Sequence, residues 1–126
     1  MEIIKLKTTS DLLVHKGRKI AVVLDDYRYD EGVLRVVGEK KAPVIIIPAE
    51  RIINSEGTAR ARLISRLRNF LKPCIKYGVY YALGILDKNT KREDNELVSI
   101  GIMLGLNQGQ AEMSIKRFKE IKEKKD

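Results

Sequence analysis

The chain predicts an α/β domain of parallel βα units, and three observations point there. The run Pro43–Pro48 (Pro-Val-Ile-Ile-Ile-Pro) is uncharged, β-branched and closed by proline at both ends, the pattern of a strand buried on both faces. Other near-continuous apolar runs of strand length alternate with segments of helical apolar spacing, which argues for right-handed crossovers between parallel neighbours. The length of 126 residues suits one domain and is short of the roughly 200 or more that a closed (β/α)₈ barrel takes. The expected architecture is therefore a single domain, residues 1–126, with either an open three-layer sheet or half of a TIM-like barrel. A half barrel leaves apolar edges that favour self-association.

The elements follow in order. Glu2–Leu6 reads as the first strand, and Thr9–His15 as a short helix capped by Thr9 or Ser10 and closed by Gly17. Lys19–Leu24 is the second strand, and Asp30–Val37 a helical or turn-rich connection ending at Gly38. Pro43–Pro48 is the third strand. After Asn54–Gly57 comes a long amphipathic helix to Tyr77, which Pro73 is expected to kink or end near Lys72 and Gly78 to stop. Val79–Leu86 is the fourth strand, and Asp94–Leu104 and Asn107–Lys122 are closing helices. Gly105 stands at a C′ position, Asn107 with Gln110 resembles a capping box, and the lysine-rich tail over about 122–126 is expected to fray.

Composition narrows the function classes. Hydrophobic residues make up 44% and charged residues 33%, the balance of a soluble globular protein. No apolar run approaches the roughly 20 residues of a membrane span, and the N-terminus lacks a signal-peptide pattern, so a cytoplasmic protein is expected. High Lys, Glu and Ile with one cysteine suit a thermophilic source. The net charge of +8 is uneven: residues 1–56 hold ten Lys/Arg against nine Asp/Glu, and residues 57–126 fifteen against eight. Such asymmetry implicates nucleic acid or an acidic membrane. With no Trp to line a membrane-surface helix, nucleic acid is favoured.

The positive charge concentrates in Gly57–Tyr77, which carries Arg60, Arg62, Arg66, Arg68, Lys72 and Lys76 and no acid. At helical spacing Ala61, Leu63, Ile64, Leu67, Phe70, Leu71, Cys74 and Ile75 gather on one side. Arg62, Ser65, Arg66, Arg68, Asn69, Lys72 and Lys76 gather on the other. Arg62/Arg66, Arg68/Lys72 and Lys72/Lys76 are like-charge i,i+4 pairs, which subtract stability unless an anionic partner relieves them. Phosphate is the expected partner, with Arg62, Arg66, Arg68 and Lys72 as its main contacts. Arg60 and Lys76 complete the expected RNA-binding set on this helix, although Arg60 lies at the helix start, off the polar stripe, where an internal pair with Asp25, Asp26 or Glu56 is the alternative.

From Ala59 onward the chain resembles the protein component 3 family of archaeal and eukaryotic ribonuclease P, the thirty-kilodalton-class subunit. The resemblance rests on Ala59–Arg68 (Ala-Arg-Ala-Arg-Leu-Ile-Ser-Arg-Leu-Arg), on Lys76-Tyr77-Gly78-Val79, and on Leu97–Ala111 with its Leu104-Gly105-Leu106 helix end. It implies a TIM-like fold, and at 126 residues a reduced or divergent member in which the first half of the barrel is missing or reduced. It also implies a non-catalytic cofactor of tRNA 5′ processing, with ribonuclease P RNA or precursor tRNA as partner and a small α/β subunit beside it. Arg92, in the segment Asp87–Glu93 that partly matches the family's serine- and arginine-containing loop, joins the RNA-binding set through this resemblance.

Other residues carry weaker signals. Asp25 and Asp26 in the loop Asp25–Asp30 could hold Mg²⁺ or act as acid and base, and a turn with helix caps explains them as well. Tyr27 and Tyr29 could stack on bases or anchor the loop. His15 stands alone and reads as a surface histidine, and Cys74 as a buried, inert thiol. Gly101 and Gly105 read as helix-packing positions. No catalytic residue, metal site or cofactor is expected. The rival expectation is a protein-assembly module that pairs with itself or a small partner without touching RNA.

Overall fold

The computed structural model describes residues 1–123. Its centre is a four-stranded parallel sheet in the order of the chain: β1 (Ile3–Leu6), β2 (Ala21–Leu24), β3 (Val44–Pro48) and β4 (Tyr81–Gly84). Between them lie a 3-10 helix (Thr9–His15), α1 (Glu31–Lys40), the single turn α2 (Glu50–Ile53) and α3 (Gly57–Tyr77); α4 (Asp94–Met103) and α5 (Gln108–Glu123) follow. The α/β reading therefore stands.

Strand register sorts the side chains into two sets. Val22 aligns with Ile45 and Ile45 with Tyr81, and this set faces Leu12, Leu34, Val37, Leu67, Phe70, Leu71 and Cys74 from the connecting helices. All the connections thus cover one face, as same-handed crossovers between successive neighbours require. The opposite set, Ala21, Val23, Val44, Ile46 and Ala82, packs on Phe118 and Ile121 of α5. That second face would line the interior of a complete barrel. Here α5 starts on the first core through Ala111 and Ile115, crosses β4, and covers the second face, so the sheet is an open one between two helical layers.

Several expectations are revised. Gly38 does not end α1. It lies inside the helix, where a Cβ would stand 2.0 Å from the Tyr77 carbonyl oxygen, and Lys41 at φ 59° closes the helix instead. Gly38 is glycine because α1 and α3 touch there. Pro73 does not end α3, which continues to Tyr77 and stops at Gly78 with φ 74°. Proline removes one hydrogen bond, but Leu67, Phe70, Leu71 and Cys74 bury the flanking turns against the sheet and hold the helix together.

The first, second and fourth strands are shorter than expected, because Glu2, Lys19 and Ile20, and Val79, Tyr80, Ile85 and Leu86 lie beyond the paired residues. Thr9 does not cap the 3-10 helix; its hydroxyl is buried and donates to the Arg28 carbonyl. At α5 the Asn107 and Gln110 side chains accept from each other's backbone N–H at 2.8 and 3.0 Å, the expected capping box. Gly101 packs at the α4–α5 crossing, where a Cβ would stand 2.8 Å from that of Ala111, while Gly105 turns the chain at φ 94°. Of the tail expected to fray, Lys122 and Glu123 are the end of α5, and residues 124–126 lie outside the described residues.

Candidate functional site

The carboxyl edge of the sheet is built by three polar anchors. The Tyr27 hydroxyl sits between β2 and β3, accepting from the Leu24 N–H at 3.3 Å and donating to the Ile46 carbonyl at 2.5 Å. It thereby bridges a ladder position where the two strands no longer pair directly. Burial, the dominant effect, pushes its phenol well above the usual tyrosine range. Arg51 donates to the Leu24 carbonyl at 2.7 Å and lies over the Tyr27 ring at 5.5 Å. Glu50 accepts from the Leu86 and Asp87 N–H groups at 3.0 and 2.9 Å, pinning the loop after β4. Tyr27 is 2% exposed, so this tyrosine anchors the loop and offers no stacking face.

α3 starts beside this edge and runs back over the sheet face in the outer layer. Its arginines and lysines are all exposed. Among the described residues, the side chains of Arg62, Arg68 and Lys72 make no hydrogen bond, ion pair or ring contact. Arg68, Lys72 and Asn69, with Ala61, Ile64 and Ser65, border an open groove of about 490 Å³ along the helix. The Arg68 Nε lies 3.9 Å from where a Cβ would stand on Gly105, which carries the strip toward the α4–α5 turn. Arg66 is nearly as free: its ion pair with Asp26 spans 3.8 Å, and its side chain is 46% exposed.

The remaining candidates are placed differently. Arg60 pairs with none of Asp25, Asp26 or Glu56. It donates to the Ile52 and Ile53 carbonyls at 3.1 Å each, capping the C-terminal end of α2, so its fork has a structural partner. Lys76 sits at the far end of α3 with its ammonium 5.2 Å from the Tyr77 ring centroid. Arg92 pairs with Glu96 at 3.3 Å and lines a separate depression with β4, α4 and α5, apart from the strip. The strip proper is Arg62, Arg66, Arg68 and Lys72.

The loop after β2 meets the strip. Asp26 is 3.4 Å from Arg28 Nε, accepts the Arg28 N–H at 3.0 Å, and reaches Arg66. A depression of about 350 Å³ lies between Asp25, Asp26, Tyr27, Arg51, Leu63 and Arg66, charge-balanced by two carboxylates and two guanidiniums. A smaller one of about 230 Å³ is lined by Tyr27, Arg28, Tyr29, Arg66 and Asn69. Sequence reasoning names Tyr29 but not Arg28, whose alternation with Tyr27 and Tyr29 is the only signal in the chain for it.

His15 accepts at Nδ1 from the Arg18 guanidinium at 2.6 Å, close to the end of the 3-10 helix. Cys74 is fully buried, which pushes its thiol far above the ordinary range. No three His, Cys, Asp or Glu side chains among the described residues converge as a metal site, and no described helix is long and apolar enough to cross a membrane. No family model matches the chain, and no curated protein matches it.

Proposed function

We propose that this protein binds structured RNA through the outer face of α3, with Arg62, Arg66, Arg68 and Lys72 neutralising phosphates. The observation that supports this most is the absence of any side-chain partner at Arg62, Arg68 and Lys72 among the described residues. Their like-charge spacing costs roughly 0.2–0.5 kcal/mol per i,i+4 pair in the free protein, and a polyanion relieves that cost. Arginine suits the role because its planar fork donates twice to one phosphate.

Within this reading, the resemblance to ribonuclease P component 3 gives the narrower function. The protein acts as a non-catalytic cytoplasmic cofactor of tRNA 5′ processing, holding RNA helices in place while the RNA and its bound Mg²⁺ perform the hydrolysis. A small α/β subunit is its partner in that assembly. Stimulation of precursor-tRNA cleavage by the catalytic RNA when protein and partner are added supports this function, and no stimulation overturns it.

The direct test of RNA binding is Arg62→Glu combined with Arg66→Glu. Gel-shift affinity for a structured RNA is expected to vanish while thermal stability stays nearly unchanged, since the only partner lost among the described residues is the 3.8 Å contact with Asp26. Wild-type affinity should fall with salt at a log–log slope of about −0.7 to −0.9 per phosphate neutralised. RNA retention by the double variant refutes the assignment.

The rival reading is a protein-assembly module. Ile102 and Met103 on α4 and Met113 on α5 are 51%, 46% and 55% exposed, and β1 has a free edge. Absence of RNA binding at low salt, with concentration-dependent association in sedimentation, favours this alternative.

A further inference from the structure

We infer that the strip ends in a subsite for one unstacked nucleotide, formed by Tyr29, Asn69, Arg28 and Arg66; this rests on the RNA-binding reading above. Tyr29 is 49% exposed, and among the described residues its side chain has no ring contact or hydrogen bond. Forty residues later in the chain, Asn69 is exposed on α3 with its side-chain amide equally unengaged among the described residues. The fold brings both to the 230 Å³ depression, with the buried Tyr27 beneath as its floor.

The chemistry of the four groups is complementary to a nucleotide. An exposed aromatic ring offers a stacking face that any base accepts. An amide offers a donor and an acceptor to a base edge, and arginine forks bind the flanking phosphates. Asp26 contacts both Arg28 and Arg66, tethering the loop arginine to the helix arginine while leaving the subsite with two cations against one carboxylate. The neighbouring depression, lined by both Asp25 and Asp26, has no such surplus. A nucleotide whose phosphates continue onto Arg62 and Arg68 therefore seats its base beside Tyr29. The recognised feature is a bulged or looped-out nucleotide next to a duplex, not the duplex alone.

The test uses two RNA hairpins of equal length, one fully paired and one with a single bulged 2-aminopurine. The wild-type protein should bind the bulged hairpin about tenfold more tightly, from one base–aromatic stack, and quench its fluorescence. Tyr29→Ala should erase both the preference and the quenching while leaving affinity for the paired hairpin unchanged; Tyr29→Phe should keep both. Equal binding of the two hairpins, or a preference that survives Tyr29→Ala, overturns the subsite and leaves the strip standing. Failure of both hairpins to bind at low salt overturns the strip and the subsite together.

Discussion

α3 and α5 are both amphipathic, both cationic, and both seated on the sheet, yet their charges meet different fates. α5 carries Lys116, Arg117, Lys119 and Lys122 beside Glu112, Glu120 and Glu123. Its Arg117 donates to the Tyr81 carbonyl at 2.5 Å and lies 4.9 Å from the Tyr80 ring centroid, and its Lys119 pairs with Asp94. On α3 the side chains of Arg62, Arg68 and Lys72 have no such partner among the described residues, and Arg66 has only the 3.8 Å pair with Asp26 there. A count of positive residues would rank the helices as similar, whereas the partners rank them as structural and available. Cationic surface is therefore a question of what the rest of the fold leaves unpaired.

The largest break in this comparison is at the seat of α3. Gly38→Ala places a methyl against the Tyr77 backbone, which has no room to yield without parting α1 from α3. Denaturant unfolding should show a loss of about 3 kcal/mol.

Alkaline unfolding should single out α3 next. Tyr27 packs its ring against Phe70 of α3 at 5.2 Å, and Cys74 is part of the helix. Burial raises both groups above their ordinary values near 10.0 and 9.0. The unfolded chain therefore releases these protons first, so stability is complete below those values and falls as pH rises through them toward the folded values. A loss of about 2 kcal/mol between pH ~8 and pH ~10 is expected, and Cys74→Ala should remove most of it.

The smallest effect sharpens the contrast most. Arg117→Ala should cost about 1 kcal/mol of stability and leave RNA affinity unchanged, because it loses a carbonyl bond and a ring contact inside the molecule. Arg68→Ala should do the opposite, weakening RNA binding several-fold and flattening its salt slope by roughly 0.7–0.9, with stability within about 0.5 kcal/mol of wild type. Parallel melting and binding curves on the two variants check the distinction. Equal RNA loss in both would remove it.

Much of the local structure is legible in the residues. The prolines around Val44–Ile47, the Asn107/Gln110 box, the stop at Gly78 and the acid-free polar stripe of α3 all depend on neighbours within a few positions, where periodicity and capping govern. Even there, Gly38 and Pro73 mislead, because each behaves as a breaker only when nothing else packs on it. Gly38 accepts a helix crossing and Pro73 lies under a buried face, contacts formed across the α1–α3 interface and the sheet.

The candidate site divides the same way. Arg62, Arg66, Arg68 and Lys72 are visible as a stripe because one helix carries them. Arg60 leaves that group through two carbonyls of α2, and Arg92 through Glu96, pairings set by where a loop or turn delivers a side chain. The approach of Tyr29 to Asn69 has no trace in the linear pattern, since α1, β3 and α2 intervene between them. From its residues alone this protein declares a parallel α/β domain and a cationic helix, because short-range spacing encodes both. Which cations stay free, and which aromatic stands beside them, follows from crossovers that fold distant segments onto one sheet edge.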